Sequence, residues 1–379
     1  MKEKTPLLIV GAGPFGLSLA AYLKDNNIEH IHLGQSMDYW KDQMPKGMYL
    51  RSPCDWHFDA VNEETIIKYL ALQNLTVADV EPLTVDFYLN YAHWFQYQKG
   101  LAPRPRWVKS LNHIEDGFCA MLDDGSEIEA KKVVLAVGLR DFKYIPEAYS
   151  HLFPKNTVHH TADLVDFSAL KDKRILIIGG RQSAFEWAAL IQEQGAQAVH
   201  LSYRHDTPVF EAADWQWVEP VLENMVNQPG WFRTLSAHEK DQVSQRIWAD
   251  GRLKLEPWLL ERIAKKNITI HPHTYVIASK EMSSKVLQIT LNDQSRLLID
   301  HIVFATGYKM DITRMPLLNN GNLMGQINAK NGFPVLDEGF QCSVPNLYFT
   351  GFAASQDLGP FFGFTAAVRT SARVLGSLV

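Results

Sequence analysis

The chain has 379 residues, enough for two domains and too many for one small one. Its 37 lysines and arginines are outnumbered by 42 aspartates and glutamates, for a net charge of −5, and no basic block stands out, which argues against nucleic acid and anionic membrane as partners. The three cysteines, Cys54, Cys119 and Cys342, show neither a C-x-x-C pair nor metal-type spacing, which excludes a dithiol relay and a zinc centre.

Leu7 to Val10 form an apolar run suited to a buried parallel strand, and it opens into Gly11, Gly13, Pro14, Phe15 and Gly16 with the G-x-G-x-x-G spacing. Gly11 suits a tight turn, Gly13 admits a pyrophosphate close to the backbone, and Gly16 lets a helix pack closely on the strand. A helix over about 15–24 directs its positive end at the phosphates, and a second strand follows over 28–33. Where an acid ordinarily holds the adenosine ribose the chain reads Gly34, Gln35, Ser36, leaving the Gln35 amide as the ribose contact. These glycines also make the basic and then apolar N-terminus a nucleotide strand rather than a leader, and no stretch reaches the ~18 to 20 apolar residues of a membrane span. A cytoplasmic protein with no membrane partner is expected.

His57, beside Trp56 and Asp59, is a candidate acid–base group or a structural histidine. A strand over 133–136 opens into Val137 and Gly138. The run RILIIGGRQSA (174–184) then repeats the strand–turn–helix pattern, with Gly179 and Ala184 in the outer positions and Arg181 where the middle glycine belongs. Arg181 reads as a charged fork for phosphates. A helix over about 183–193 and a strand over about 198–203 complete this unit and end at Arg204 and His205. A cation where NAD enzymes keep an acid accepts a 2′-phosphate, which favours NADPH over NADH.

Five of the ten tryptophans, Trp215, Trp217, Trp231, Trp248 and Trp258, follow in one segment with helical patches over 239–248 and 257–265. It reads either as a cap that makes a dry pocket over the active site or as a satellite cluster or dimer face. Glu211, Asp214 and Glu219 beside it hint at an amine substrate. A strand over 301–304 opens into Thr306, Gly307 and Tyr308. Another, over 347–349, opens into Gly351, Phe352 and a loop carrying Gly359, Phe361 and Phe362, before a helix over about 365–378. The start of that helix would stabilise negative charge placed against it.

The resulting fold class is α/β, with two nested Rossmann-like dinucleotide-binding domains and a helical, tryptophan-rich insert. The expected limits are 1–165 plus 303–379 for the first domain and 166–302 for the second, with the insert at about 206–265.

The pairing of GAGPFG with GGRQSA, together with FATGY at 304–308, resembles the flavin-containing monooxygenases, most nearly the N-hydroxylating group that acts on lysine and ornithine. The resemblance implies FAD in the first site and NADPH in the second, the latter held at its phosphates by Gly180, Gln182 and Ser183. It lays the segment WKDQMPKGMYLRS along the flavin, making Trp40, Met48 and Arg51 flavin-side residues, and it makes Phe361 a wall of the pocket. Implied in turn is a peroxyflavin that carries one oxygen atom from O2 to a small organic substrate at nitrogen, sulfur or a carbonyl. The fingerprint F-x-G-x-x-x-H-x-x-x-[WY] is partly kept: Phe153 and His159 hold its spacing, Lys155 and Asp163 depart from it, and His160 with Thr161 matches a His-Ser pair equally well. His57, His159, His160 and Phe361 thus stand as candidates without an assigned role. Two other functions stay open: a flavin reductase that passes electrons to a quinone or protein acceptor, and a non-catalytic nucleotide-binding protein. Self-association is left open too.

Overall fold

Strand Glu3–Val10, which begins before its apolar core, lies at the centre of the first sheet, and a computed structural model describes it with the rest of residues 2–282 and 286–379. Its neighbours are Ile31–Leu33 and Glu127–Leu135, both parallel to it. The long strand Glu127–Leu135 has two partners on its other edge. Its first half pairs antiparallel with Gly117–Leu122, which pairs in turn with Val108–Ile114, and its second half takes Leu347–Phe349 in parallel, with Leu347 opposite Val133. Val133, Val134 and Leu135 have no exposed surface, as expected of a strand covered on both faces.

The second sheet is wholly parallel, in the order Val158–His160, His301–Phe304, Arg174–Ile178, Ala198–Ser202, Ile268–His271. A three-stranded antiparallel sheet, Val276–Glu281, Leu287–Leu291 and Arg296–Ile299, precedes its closing strand. Because Leu347–Phe349 returns to the first sheet after His301–Phe304 has closed the second, the two α/β units are nested. Val158–His160 pairs in the second sheet, as do Val303 and Phe304.

Helix Pro14–Asp25 covers the first sheet and crosses the last helix, Val368–Leu378, so closely that any side chain at Gly376 would overlap the Tyr22 ring. Helix Gln182–Glu193 covers the second sheet. An additional helical unit, unmarked by the nucleotide motifs, is built from Ile66–Leu72 and Val85–Gln98. The Thr65 and Thr84 hydroxyls cap these helices, accepting from the Lys68 and Phe87 amides at 3.1 Å each, and Phe58, Tyr88, Tyr91 and Phe95 form their aromatic core.

The insert is helical, with Val218–Asn227, Ala237–Ile247 and Leu259–Ile263 as its main pieces. Val218, Leu222 and Met225 are buried in the core of the first unit rather than in that of the second. Arg369 and Arg373 on the last helix clasp Glu219 and Glu223 at 2.8 and 2.6 Å. Among the described residues no helix is long and apolar enough to cross a membrane.

Candidate functional site

The first glycine turn is shaped by crowding on one side and space on the other. Gly11 has φ +113°, and a Cβ there would overlap the Ala136 carbonyl, so the turn is pressed against the end of strand Glu127–Leu135. A Cβ on Gly16 would overlap the Gly11 carbonyl, which seats the helix on the turn. Gly13, at the helix start, has nothing within 4 Å of its Cβ direction. Backbone donors thus face open space at a positive helix end, the arrangement that receives a pyrophosphate. Pro14 opens the helix, and Phe15 packs on Gly351 of the C-terminal loop.

One residue of this turn escapes the glycine pattern. His32 lies buried on the second strand with Nε2 2.9 Å from the Gly11 carbonyl oxygen. Burial holds it down to about 4, so the imidazole is neutral and Nε2–H donates to that oxygen. The available signal was polarity inside the apolar run Ile31–Leu33. Gln35 is exposed at the end of this strand, beside Gly34.

The second turn repeats the geometry. Gly179 has φ +145°, and a Cβ there would overlap the Ala305 carbonyl. A side chain at Gly180 would overlap the Tyr203 ring, which the consensus spacing does not foretell. Arg181 is the N-cap residue of helix Gln182–Glu193 and is half-buried. Ser183 and Arg204 are exposed, and Arg204 has no ion pair among the described residues. Gln182 departs from the expected phosphate contact. Its side chain is buried, its Oε1 accepts from the Glu256 amide at 3.1 Å, and its Nε2 donates to Glu186 Oε2 at 3.3 Å.

Between the sheets the two crossing segments pair with each other. Tyr144 N donates to the Gly307 oxygen at 2.9 Å, Lys309 N to the Phe142 oxygen at 2.8 Å, and the Thr306 hydroxyl to the Tyr144 oxygen. Gly138 and Gly307 have open space at their Cβ directions, so the crossing leaves room beside both turns. His160 is buried edge-on beneath Tyr308, ring centres 5.9 Å apart. Its Nδ1 accepts from the Ala162 amide at 3.0 Å, and burial lowers it to about 4, so the proton sits on Nε2, which has no partner among the described residues. His159 instead faces His301 across the strand pair, at 3.2 Å. Phe153 is buried among Tyr149 and Phe304.

The segment Trp40–Ser52 is where the pieces converge. Trp40 tilts against Tyr88 at 4.8 Å, and Met48 lies between the helical unit and the second core. Arg51 is bound to the insert, with Nε donating to Glu256 at 2.8 Å and Nη2 to the Gly251 oxygen at 2.8 Å. Ser52 Oγ lies 2.9 Å from Thr365 Oγ1 of the C-terminal loop. The Tyr49 amide donates to Glu186, a fully buried carboxylate that also meets Arg262 at 3.1 Å. Burial raises Glu186 to about 8 despite Arg262. This cluster joins the first unit, the start of the second unit's helix and the insert, and no motif marks it.

The C-terminal loop leads into the helix expected over about 365–378. The last α-helix starts at Val368, after a 3₁₀ turn over Thr365–Ala367. Phe361 is fully buried, edge-on to Trp217 at 5.6 Å, because the insert presses on the loop. Gly359 has φ +115° and packs on Phe232, and Phe352 lies tilted against Phe142 and edge-on to Phe333.

Beside this loop an open cavity of about 750 Å³ is lined by Trp56, His57, Asp55, Asp214, Trp215 and Arg369, among others. The insert supplies Trp215, 5.4 Å from Trp56 and 5.6 Å from Phe364. His57 is buried, Nε2 lies 3.3 Å from Arg369, and burial followed by that guanidinium lowers it to about 3, so it is a neutral group at the cavity wall. Asp59 anchors the same loop, its carboxylate accepting from the Val61, Glu63 and Glu64 amides.

Comparison with known proteins agrees with this architecture. A CzcO-like oxidoreductase of Geobacillus kaustophilus is 23% identical over 364 residues, covering 93% of this chain and 92% of that one. Ferredoxin–NADP reductase 2 of Sulfolobus acidocaldarius is 22% identical across 98% of this chain and 92% of its own. The solved structure of the ornithine N-hydroxylase of Kutzneria sp. 744 shares the fold, with TM-score 0.79, 16% identity, and coverage of 99% of this chain and 98% of that one. Residues 8–247 match the model of one oxidoreductase family, a span that takes in both glycine turns and the first insert helices, and the chain therefore belongs to the pyridine nucleotide-disulphide oxidoreductase family.

Proposed function

We propose that the protein is an FAD-dependent, NADPH-using monooxygenase that acts on a small organic substrate. The observation that carries this reading is the pair of glycine turns, each jammed against the end of a strand and each leading into a helix, the first with open space at Gly13, joined by a crossing that leaves Gly138 and Gly307 unobstructed. The fit for a dinucleotide is good at both. Gly11, Gly13, Pro14, Phe15, Gly16 and Gln35 would hold FAD, with Trp40, Met48, Gly351 and Phe352 beside its ring. Gly179, Gly180, Arg181, Ser183 and Arg204 would hold NADPH. When bound, FAD supplies the redox and oxygen chemistry and NADPH the hydride.

This chain's own residues do the rest. Arg181 neutralises phosphate at a helix start, and Arg204 meets a 2′-phosphate. Arg51, Ser52 and Glu186 tie the flavin-side segment to the insert, the C-terminal loop and the second unit, which fixes the distance between the two nucleotides. Trp215, Trp217 and Phe361 exclude water from the region under the insert. The proposal sets the domain limits by sheet pairing, so that the second unit includes Val158–His160 and extends through Phe304. It also places the enzyme in the cytoplasm, where NADPH is made.

Thiol chemistry finds little support, because Cys54 and Cys342 are buried and held up to about 12 and 11 by that burial. The full-length similarity to a ferredoxin–NADP reductase favours, as the second reading, electron transfer to an acceptor other than oxygen. The test is to reduce the purified flavoprotein with NADPH without oxygen and then mix it with aerated buffer. An oxygenase reoxidises slowly without substrate and releases little hydrogen peroxide. Immediate reoxidation with stoichiometric peroxide favours the reductase, and a protein that purifies with no flavin and binds none removes both.

A further inference from the structure

Arg252 carries a positive charge that no carboxylate among the described residues answers. Its guanidinium has no hydrogen bond and no ion pair among the described residues. Its neighbours are aromatic faces, the Phe364 ring 4.5 Å away and the Trp248 ring 5.6 Å away, while its Nη2 lies 3.7 Å from the position of a side chain on Gly363. Its neighbour Arg51 is, by contrast, engaged with Glu256 at 2.8 Å. Withdrawing a cation from water without a counter-ion is costly, and the nearby Arg51 adds repulsion.

The backbone that carries Arg252 is held firmly. Trp215 packs so tightly on Gly251 that no side chain fits there. The Gly251 carbonyl accepts from Arg51 at 2.8 Å, and the Asp250 carbonyl accepts from the Asp214 amide at 2.9 Å. The fork is thus preorganised, facing the C-terminal loop at Gly363 and Phe364, one residue before the Thr365 hydroxyl that meets Ser52. Arg51 and Arg252 together with Glu256 leave one net positive charge at this spot, which suits a monoanion better than a phosphate dianion. A planar carboxylate matches the fork, and the Phe364 and Trp248 rings beside the guanidinium, with Trp215 against Phe364, offer apolar faces to the rest of such a molecule.

We propose that Arg252 is a substrate-recognition residue and that the substrate of this enzyme is an organic carboxylate, docked with its anionic end on Arg252 and its apolar part against Phe364. The proposal rests on the monooxygenase reading for the word substrate, but the binding it describes is measured without turnover.

The experiment is equilibrium binding to the oxidised flavoprotein, by tryptophan fluorescence and calorimetry, using hexanoate and phenylacetate against hexanamide and phenylacetamide. The wild type is expected to bind each carboxylate at least about tenfold more tightly than its amide, with the preference shrinking as salt is raised. Arg252→Gln is expected to abolish the preference and Arg252→Lys to keep part of it. Should Arg252→Gln unfold, the salt dependence of the wild type and the Arg252→Lys result decide. Equal binding of acids and amides, no binding of either, or a preference that survives in Arg252→Gln overturns the proposal. So does a fall in flavin midpoint potential in Arg252→Gln with the carboxylate preference intact, which would assign the cation to the reduced flavin. Carboxylate binding in a protein that reoxidises at once with full peroxide release would leave this site standing and remove the oxygenase reading alone.

Discussion

Tyr39 donates a hydrogen bond to the hydroxyl of Tyr308 at 2.7 Å, joining the short helix Asp38–Asp42 of the first unit to the segment that returns from the second. The same helix is held by Arg140 through Asp38 at 2.8 Å. It borders Gln35, so the edge of the first nucleotide turn and the crossing between sheets form one connected piece.

Tyr308→Phe removes that bond and leaves the Tyr39 hydroxyl, itself largely buried, without its acceptor. A loss of about 1 to 2 kcal/mol is expected, read as a lowered denaturant midpoint with unchanged slope. An unaltered midpoint would mean that the two hydroxyls are independently solvated.

The two glycines of the first turn separate folding from binding. Gly11→Ala forces a methyl against the Ala136 carbonyl at φ +113° and should lower stability steeply. Gly13→Ala, at φ −81° with open space around it, should leave the melting temperature of the flavin-free protein nearly unchanged while sharply reducing FAD content. Full FAD retention in Gly13→Ala would show that the pyrophosphate lies elsewhere.

Arg204 is exposed and has no carboxylate partner among the described residues, so its removal disturbs no internal pair. Arg204→Ala should raise the KM for NADPH by about tenfold or more and leave that for NADH within about twofold. Equal losses for both nucleotides would disprove its contact with a 2′-phosphate.

Stability should fall on both sides of about pH 6.5, for different reasons. His32, His57, His160 and His200 are lowered to about 4, 3, 4 and 4, chiefly by burial, so the unfolded chain binds more protons than the folded one between these values and 6.5. Their contribution is complete above about pH 6.5 and is lost as pH falls toward 4, each histidine giving up about 1.4 kcal/mol for every pH unit crossed in that window. Glu186, raised to about 8, acts in the opposite sense: its contribution is complete below its ordinary value of 4.5 and is lost as pH rises through 8. Glu186→Gln keeps a neutral hydrogen-bonding group there and should flatten the fall between about pH 6.5 and 8, where the histidines no longer titrate, and steepen the one between 4.5 and 6.5, where Glu186 opposes them.

Trp215 contacts Trp56, Phe364 and Gly251 at once. Trp215→Ala should cost about 3 kcal/mol and uncouple NADPH oxidation from product formation by admitting water. A stable variant with unchanged coupling would reduce the insert to a packing element.

What the chain declares openly is its strand-to-helix junctions, because a buried parallel strand must be continuously apolar and the turn after it must be glycine. Leu7–Val10, Arg174–Ile178, His301–Phe304 and Leu347–Phe349 announce themselves in this way, and their spacing reveals the nesting. The helical unit around Tyr88 and Tyr91 does not, since its aromatic residues serve a local core with no motif. Contacts between distant segments are equally silent. Nothing near Gln182 indicates that Glu256 will take its amide, and nothing near Phe361 indicates that Trp217 will cover it. Family likeness marks Arg51, yet its partners come from about two hundred residues further on.

The late pairing of Leu347–Phe349 with Val133–Leu135 also orders events on the ribosome. The inner sheet has all five of its strands once Phe304 has emerged, whereas the outer one waits for the final segment, and its covering helix Pro14–Asp25 waits for Val368–Leu378. The first nucleotide turn to be synthesised is therefore the last to be completed, and a nascent chain stalled before Leu347 holds a finished inner unit inside an outer one with its edge still open.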